Sequence, residues 1–307
     1  MAAATFPGRT RNDSKLQGWE HALIAKVETH RETSGRSLIF RSDPSVGRRS
    51  ADQWAVPVLR ARRGGPAERL AGVFGDLHPA VVFAIVMLVG LAAIAVVSIG
   101  VGFFVTRVVE QAWGIGAADE RVNVWLAAHR TSSRTDASFV GSTLAGGVVL
   151  PIVVGSIALV CAVLRKWRIA AFVVFALAVE SATYRATTLV VHSHRPRVVR
   201  LEHLPVNASY PSGHTAASIA VYGGLVLLLT STFASGVFRT FAWTFVLAMV
   251  TFVAAARMYR GMHHPLDVAG GIIVGIAAVT VLVFACRTAG AAAESRDDKR
   301  TSVGGRG

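Results

Sequence analysis

Three short clusters in the second half of the chain hold the residue types that phosphate chemistry needs. The first is His192-Ser193-His194-Arg195-Pro196 and the second is Pro211-Ser212-Gly213-His214. The third runs from Arg257 to Asp267 and contains Arg260, His263, His264 and Pro265. Arginine supplies a planar, permanently charged fork suited to phosphate oxygens. Two histidines supply a nucleophile and a proton donor. Ser212 and Gly213, where a helix would begin, present a hydroxyl and free backbone N–H groups to an anion. If Pro265 starts a helix, Asp267 can reach back to one ring nitrogen of His263 and leave the other exposed. The combined chemistry is phosphoryl transfer through a phosphohistidine, with arginines on the equatorial oxygens.

The elements that must position these clusters follow from composition. The 307 residues are 52% hydrophobic and 16% charged, whereas a soluble domain carries about 25% charged residues. That excludes a disordered or collagen-like chain and argues against a soluble globule. Pro79 to Thr106 holds no Asp, Glu, Lys or Arg, and about 20 apolar residues suffice to cross a bilayer as a helix. Further spans are expected at 138–164, 168–191, 215–235, 238–256 and 267–286. The expected fold is an all-α, integral-membrane bundle of six transmembrane helices. Gly146-Gly147 and Gly270-Gly271 would permit close helix packing.

Residues 1–78 form a basic leader with 13 Lys and Arg against 8 Asp and Glu, expected to be a partly disordered cytoplasmic tail. Leu16, Trp19, Leu23 and Val27 recur at helical spacing, which leaves a membrane-surface helix as the alternative. Residues 79–286 are expected to form the six-span domain and 287–307 a basic cytoplasmic tail. The leader, Arg165, Lys166 and Arg168, Arg239 and the C-terminal basic residues then share one side, which the charge rule makes cytoplasmic. Both termini are therefore expected to be cytoplasmic, and the expected location is a bacterial plasma membrane. The loops 107–137, 192–214 and 257–266 fall on the outer face. Two of them are crowded with Arg and His against the charge bias, and function is the default reason for such charge. The net charge of +14 suits anionic lipid; the arginines lack interleaved aromatics, so no nucleic-acid partner is expected. Cys161 and Cys286 lie near cytoplasmic ends, where thiols stay reduced. Nothing in the sequence indicates an oligomeric state.

Together the three clusters resemble the type 2 phosphatidic-acid phosphatase family, the lipid-phosphate phosphatases related to vanadium haloperoxidases. The family signature is K-x6-R-P, then P-S-G-H, then S-R-x5-H-x3-D. Arg195-Pro196 supplies the end of the first motif, Pro211 to His214 the second, and Arg257, His263 and Asp267 the third. The resemblance covers roughly 80–286 and implies six helices with the site at the outer face. It implies a lipid phosphatase that needs no metal or other cofactor and acts on a monoester or diphosphate. His263 would be the nucleophile, oriented by Asp267, with His214 the acid. Arg195, Arg257, Ser212 and the Gly213 N–H would bind phosphate.

Two positions depart from the signature. Thr188 stands where the family has lysine, and Ala256 where it has serine. Arg185, one turn before Thr188 on the same face, would replace the missing cation, with Arg197 and Arg260 as alternatives. Glu180, inside the third span, is expected to be protonated or paired with Arg185 or a neighbouring helix. Alanine-, valine-, glycine- and arginine-rich composition leans towards a bacterial polyprenyl diphosphate as substrate, beside phosphatidic acid and phosphatidylglycerol phosphate. The open alternatives are a lipid phosphotransferase, a vanadate-using relative and a non-catalytic lipid-phosphate binder or transporter.

Overall fold

The computed structural model describes residues 56–304, with side chains to residue 300. The surface-helix pattern at Leu16 to Val27 lies outside the described residues. Those described are helical apart from connecting loops and one isolated backbone bridge between Ser193 and Ala208. The helices in chain order are α1 (Pro66–Phe74), α2 (Pro79–Ala112), α3 (Gly116–Ala128) and α4 (Ser132–Leu144). They continue with α5 (Val149–Val163), α6 (Trp167–Val190), α7 (Gly213–Thr232), α8 (Gly236–Tyr259) and α9 (Pro265–Gly304).

Local sequence accounts for the starts. Pro79 opens α2 where no intrahelical N–H is needed, and the His78 ring accepts from Ala80 N at 3.2 Å. Thr131 and Ser235 cap α4 and α8 through Arg134 N and Phe238 N, each at 3.3 Å. Pro265 is the first residue of α9, as the third cluster requires.

Five helices, α2, α6, α7, α8 and α9, are long and apolar enough to cross a membrane. The span expected at 138–164 is instead a pair, α4 and α5, bent by 43° across residues 145–148. Gly146 and Gly147 sit at this bend, where nothing lies within 4 Å of a Cβ placed on Gly147. These glycines make a turn and not the close packing expected of them. Counting the bent pair as one crossing gives six spans.

The core lies between α2, α6 and α9, where Val82, Val86, Phe172, Ala176, Leu282 and Ala285 are buried together. A second cluster joins α5, α6 and α7 through Leu150, Val154, Val173, Ala217 and Val221. Helix α6 contributes to both through residues 169–179, so its first half is held on two sides. Outward-facing Leu88, Val96, Leu159, Phe241 and Leu247 are exposed. Apolar belts of this extent are stable in lipid and not in water.

Two stretches read as leader and tail meet here. The turn at Pro57–Leu59 and helix α1 pack on the second half of α9, burying Leu59, Ala71 and Ala292. Arg287 donates to Val58 O at 2.8 Å, and Lys299 pairs with Asp76 at 2.7 Å.

Candidate active site

Chain direction brings the three clusters to one end of the bundle. Helices α6 and α8 finish there and α7 and α9 start there. The connection between α6 and α7 is folded back by Ser209 N donating to Ser193 O and Arg195 N donating to Val206 O, both at 3.1 Å. Ser212 N donates to Asp267 O at 2.9 Å, joining the second cluster to the third. Gly271 permits this approach: a Cβ there would stand 2.5 Å from the Ser212 carbonyl oxygen.

A cavity of about 460 Å³ opens at this end. Arg185, Arg195, Gly213, His214, Arg257 and His263 all line it. Six of the eight expected site residues therefore share one wall. The other two stand behind it. Ser212 is fully buried and its hydroxyl is 3.0 Å from that of Thr215. Asp267 is 1% exposed and does not reach the cavity.

His263 is 2% exposed, and its Nδ1 lies 2.8 Å from the Ser209 carbonyl oxygen. A carbonyl only accepts, so Nδ1 carries the proton and Nε2 keeps its lone pair. This corrects the expected role of Asp267, whose Oδ2 is 3.9 Å from Nδ1, too long for a hydrogen bond. Asp267 instead accepts from the Ser209 hydroxyl at 2.5 Å and from His264 N at 2.8 Å. It thereby fixes Ser209, the residue whose carbonyl the His263 ring contacts. Burial, and then the charges of Arg257 and Arg195, push His263 well below the usual histidine range. The ring is therefore neutral at neutral pH.

Arg257 is the central cation. It is completely buried, and its Nη1 donates to Ser142 Oγ at 2.5 Å and to Glu202 Oε2 at 2.6 Å. Its Nε and Nη2 have no hydrogen-bond partner among the described residues. Burying such donors unpaired is costly, and an anion in the cavity would satisfy them. Arg195 is tied to the backbone by three of its N–H groups, to Pro205 O at 2.8 Å, to Ala208 O at 2.9 Å and to Met262 O. It clasps the loop as well as facing the cavity.

The candidates for the missing lysine separate clearly. The Arg260 guanidinium is engaged by Glu202 at 2.6 Å and by Ser138 at 3.2 Å. Arg197 and Arg260 are not in the cavity wall, and Arg185 is. Thr188 donates its hydroxyl to Arg185 O at 3.1 Å. The pairing expected between Glu180 and Arg185 is not formed; Glu180 accepts from Ser181 at 3.2 Å.

Several supporting residues gave no signal in the sequence. Glu202 bridges Arg257 and Arg260; burial opposes its charge, but the arginines and Ser142 outweigh it and hold the carboxyl down at about 2. The loop expected at 107–137 contains α3 and the start of α4. From α3, buried Asn123 donates to His263 O at 3.0 Å and to Met258 O at 3.1 Å. Glu120 accepts from Arg197 N at 2.9 Å and meets His264 Nε2 at 3.1 Å. Burial works against charge on His264, but Asp267 and Glu120 prevail and push it up to about 9. Burial raises Asp119, whose Oδ1 accepts from Leu266 N at 3.2 Å, to about 6. None of these lies in a recognisable motif, because each contact spans more than 50 residues of sequence.

Residues 169–289, which contain all three clusters, match the family model described as the PAP2 superfamily. A stretch of 77 residues is 39% identical to the undecaprenyl-diphosphatase of Sulfolobus acidocaldarius, covering 24% of this chain. The alignment spans 32% of that relative, about a third of its length. Among solved structures, the first transmembrane PAP2-type phosphatidylglycerolphosphate phosphatase from Bacillus subtilis superposes with a TM-score of 0.52. That match is 18% identical and covers 66% of this chain and 93% of the other. At that identity the likeness is one of fold.

Proposed function

We propose, from the match of residues 169–289 to the PAP2 superfamily model, that the chain is a membrane-bound lipid-phosphate phosphatase of that family. The observation that carries this reading is Arg257. Its two unpartnered guanidinium nitrogens are buried beside a cavity that also holds His214 and His263. A tetrahedral anion with an attacking ring nitrogen on one side and a proton donor on the other is what that arrangement suits.

Neutral His263 attacks phosphorus through Nε2 while the bond to the lipid-side oxygen breaks, and His214 gives that oxygen its proton. A water, deprotonated by His214, then cleaves the phosphohistidine and releases phosphate. Arg257, Arg195 and Arg185 hold the nonbridging oxygens as charge builds on them. No metal takes part. The favoured substrate is a polyprenyl diphosphate, in line with the activity named for the Sulfolobus relative. Lateral entry between helices lets the lipid tail remain in the bilayer. The basic residues at Arg165 to Arg168, at Arg239 and from Arg287 onwards lie at the bundle end opposite the cavity. By the charge rule both termini are cytoplasmic and the site faces outward.

Phosphate release by the detergent-purified protein in excess chelator tests this. Polyprenyl diphosphate, phosphatidic acid and phosphatidylglycerol phosphate form the panel. Turnover should persist in chelator and fall by about 10³-fold in His263→Ala, within the range for loss of one essential catalytic group. His214→Ala should accumulate an acid-labile, alkali-stable phosphoprotein. Lipid binding without turnover, and untouched by His263→Ala, would replace the phosphatase by a lipid-phosphate binder. Transfer of phosphate to an added lipid alcohol in place of water would make it a transferase.

A further inference from the structure

One carboxyl in the cavity wall has no role in the chemistry above. Glu180 lies near the middle of α6, is 2% exposed, and lines the cavity. Its Oε2 accepts only the Ser181 hydroxyl, at 3.2 Å, and its Oε1 has no partner among the described residues. Polar groups that serve only to tie membrane helices together have their atoms engaged across the interface. Glu180 instead keeps an unengaged oxygen at the cavity.

Its depth can be placed relative to the phosphate site. The Tyr184 ring packs on Gly213, 3.1 Å from where a Cβ would stand. Glu180 is four residues earlier on the same face of α6, one turn of about 5.4 Å farther from the end that carries the clusters. Leu150, Leu177 and Ala217 are among the apolar residues of the same wall. Glu180 therefore lines the cavity one turn deeper into the bundle than the groups that would hold a phosphoryl group, His263, Arg257 and Gly213, on the side where a lipid tail would run. A charged carboxylate there would lose its hydration for a single hydroxyl contact and would repel phosphate. The uncharged acid has one O–H to give.

Building on the phosphatase reading, we propose that Glu180 is a substrate-selecting residue. Its acid O–H donates to an acceptor oxygen on the lipid side of the scissile phosphorus. The preferred substrates are then lipid phosphates whose leaving group carries such an oxygen close to phosphorus. The second phosphate of a lipid diphosphate supplies one, and so does an ester carbonyl of phosphatidic acid. A polyprenyl monophosphate has only hydrocarbon beyond its bridging oxygen and supplies none.

The test compares kcat/KM for these three lipids in wild type, Glu180→Leu and Glu180→Gln. In Glu180→Leu the ratio of diphosphate or phosphatidic acid to monophosphate should drop by about tenfold, the effect of one strong hydrogen bond. Glu180→Gln, which keeps an N–H donor, should stay within about threefold of wild type. A drop confined to the diphosphate assigns the acceptor to the second phosphate; one confined to phosphatidic acid assigns it to the ester. Unchanged ratios for both overturn the proposal. Should Glu180→Leu fail to fold, a hydrophobic carbodiimide on the wild-type protein gives a second readout. Labelling of Glu180 should be blocked by a polyprenyl methylenebisphosphonate far better than by the monophosphonate. Equal blocking, or no labelling, overturns the subsite. This second readout needs no turnover: protection in a protein that hydrolyses none of the lipids would reject the phosphatase and keep the subsite. Turnover with unchanged ratios would do the reverse.

Discussion

His263 donates its Nδ1–H to the Ser209 carbonyl, and that hydrogen bond leaves Nε2 as the nitrogen that attacks in the proposed reaction. Asp267 acts one step away, through the Ser209 hydroxyl. Ser209→Ala should therefore lower kcat about tenfold with KM little changed, the usual size for loss of a group that orients a ligand or nucleophile. Stopped assays over a substrate series separate the two parameters. His264 gives a pH prediction whose sign follows from its raised value. Its ion pairs with Asp267 and Glu120 stabilise the fold fully below the ordinary value of 6.5, and that contribution is lost as pH rises through about 9. Thermal unfolding in detergent between pH 6 and 10 should show this alkaline loss, and His264→Gln should flatten it. His263, held well below 6.5, should leave the nucleophile neutral over the same range.

At the scale of elements, the site depends on how closely α9 can approach the turn that starts α7. Gly271 faces the Ser212 carbonyl, and Gly270 faces the Tyr210 ring, with a Cβ only 2.3 Å from Cε2. Gly271→Ala forces α9 away from backbone that cannot yield, at a cost of about 1–3 kcal/mol by analogy with overpacked cores. Activity should fall with stability, because the same shift displaces Asp267 from Ser209. Gly155→Ala in α5, where a Cβ meets nothing within 4 Å, should be neutral or stabilising in the same melting experiment. Helix α3 has a comparable positioning role without entering the cavity: Asn123 and Glu120 hold the turn between α8 and α9.

For the whole molecule, the proposed orientation predicts which loops face the outside. In a background with Cys161 and Cys286 changed to alanine, Asn207→Cys lies in the exposed connection between α6 and α7. Ser235→Cys lies in the exposed connection between α7 and α8, at the opposite end of the bundle. An impermeant maleimide applied to intact cells should label the first, and the second only after permeabilisation. The reverse pattern would turn the site inward and remove the charge-rule argument for an outer-face enzyme.

Much of this was legible in the residues alone. Long apolar runs mark spans because a bilayer tolerates little else, and Arg195-Pro196, Pro211 to His214 and Arg257 to Asp267 keep their chemistry within a few residues of one another. The bend between α4 and α5 was not legible, since a run of apolar residues is equally hydrophobic whether straight or broken. Nor were Ser209 as the partner of the His263 ring, Glu202 as the bridge between two arginines, and Glu180 as an unengaged acid in the cavity wall. Those depend on contacts between segments 50 or more residues apart, or on which atoms a packed cavity leaves without partners. Local spacing fixes which groups share a helix face or a turn. Only the packing of α3, α6, α8 and α9 determines the atom each group finally meets.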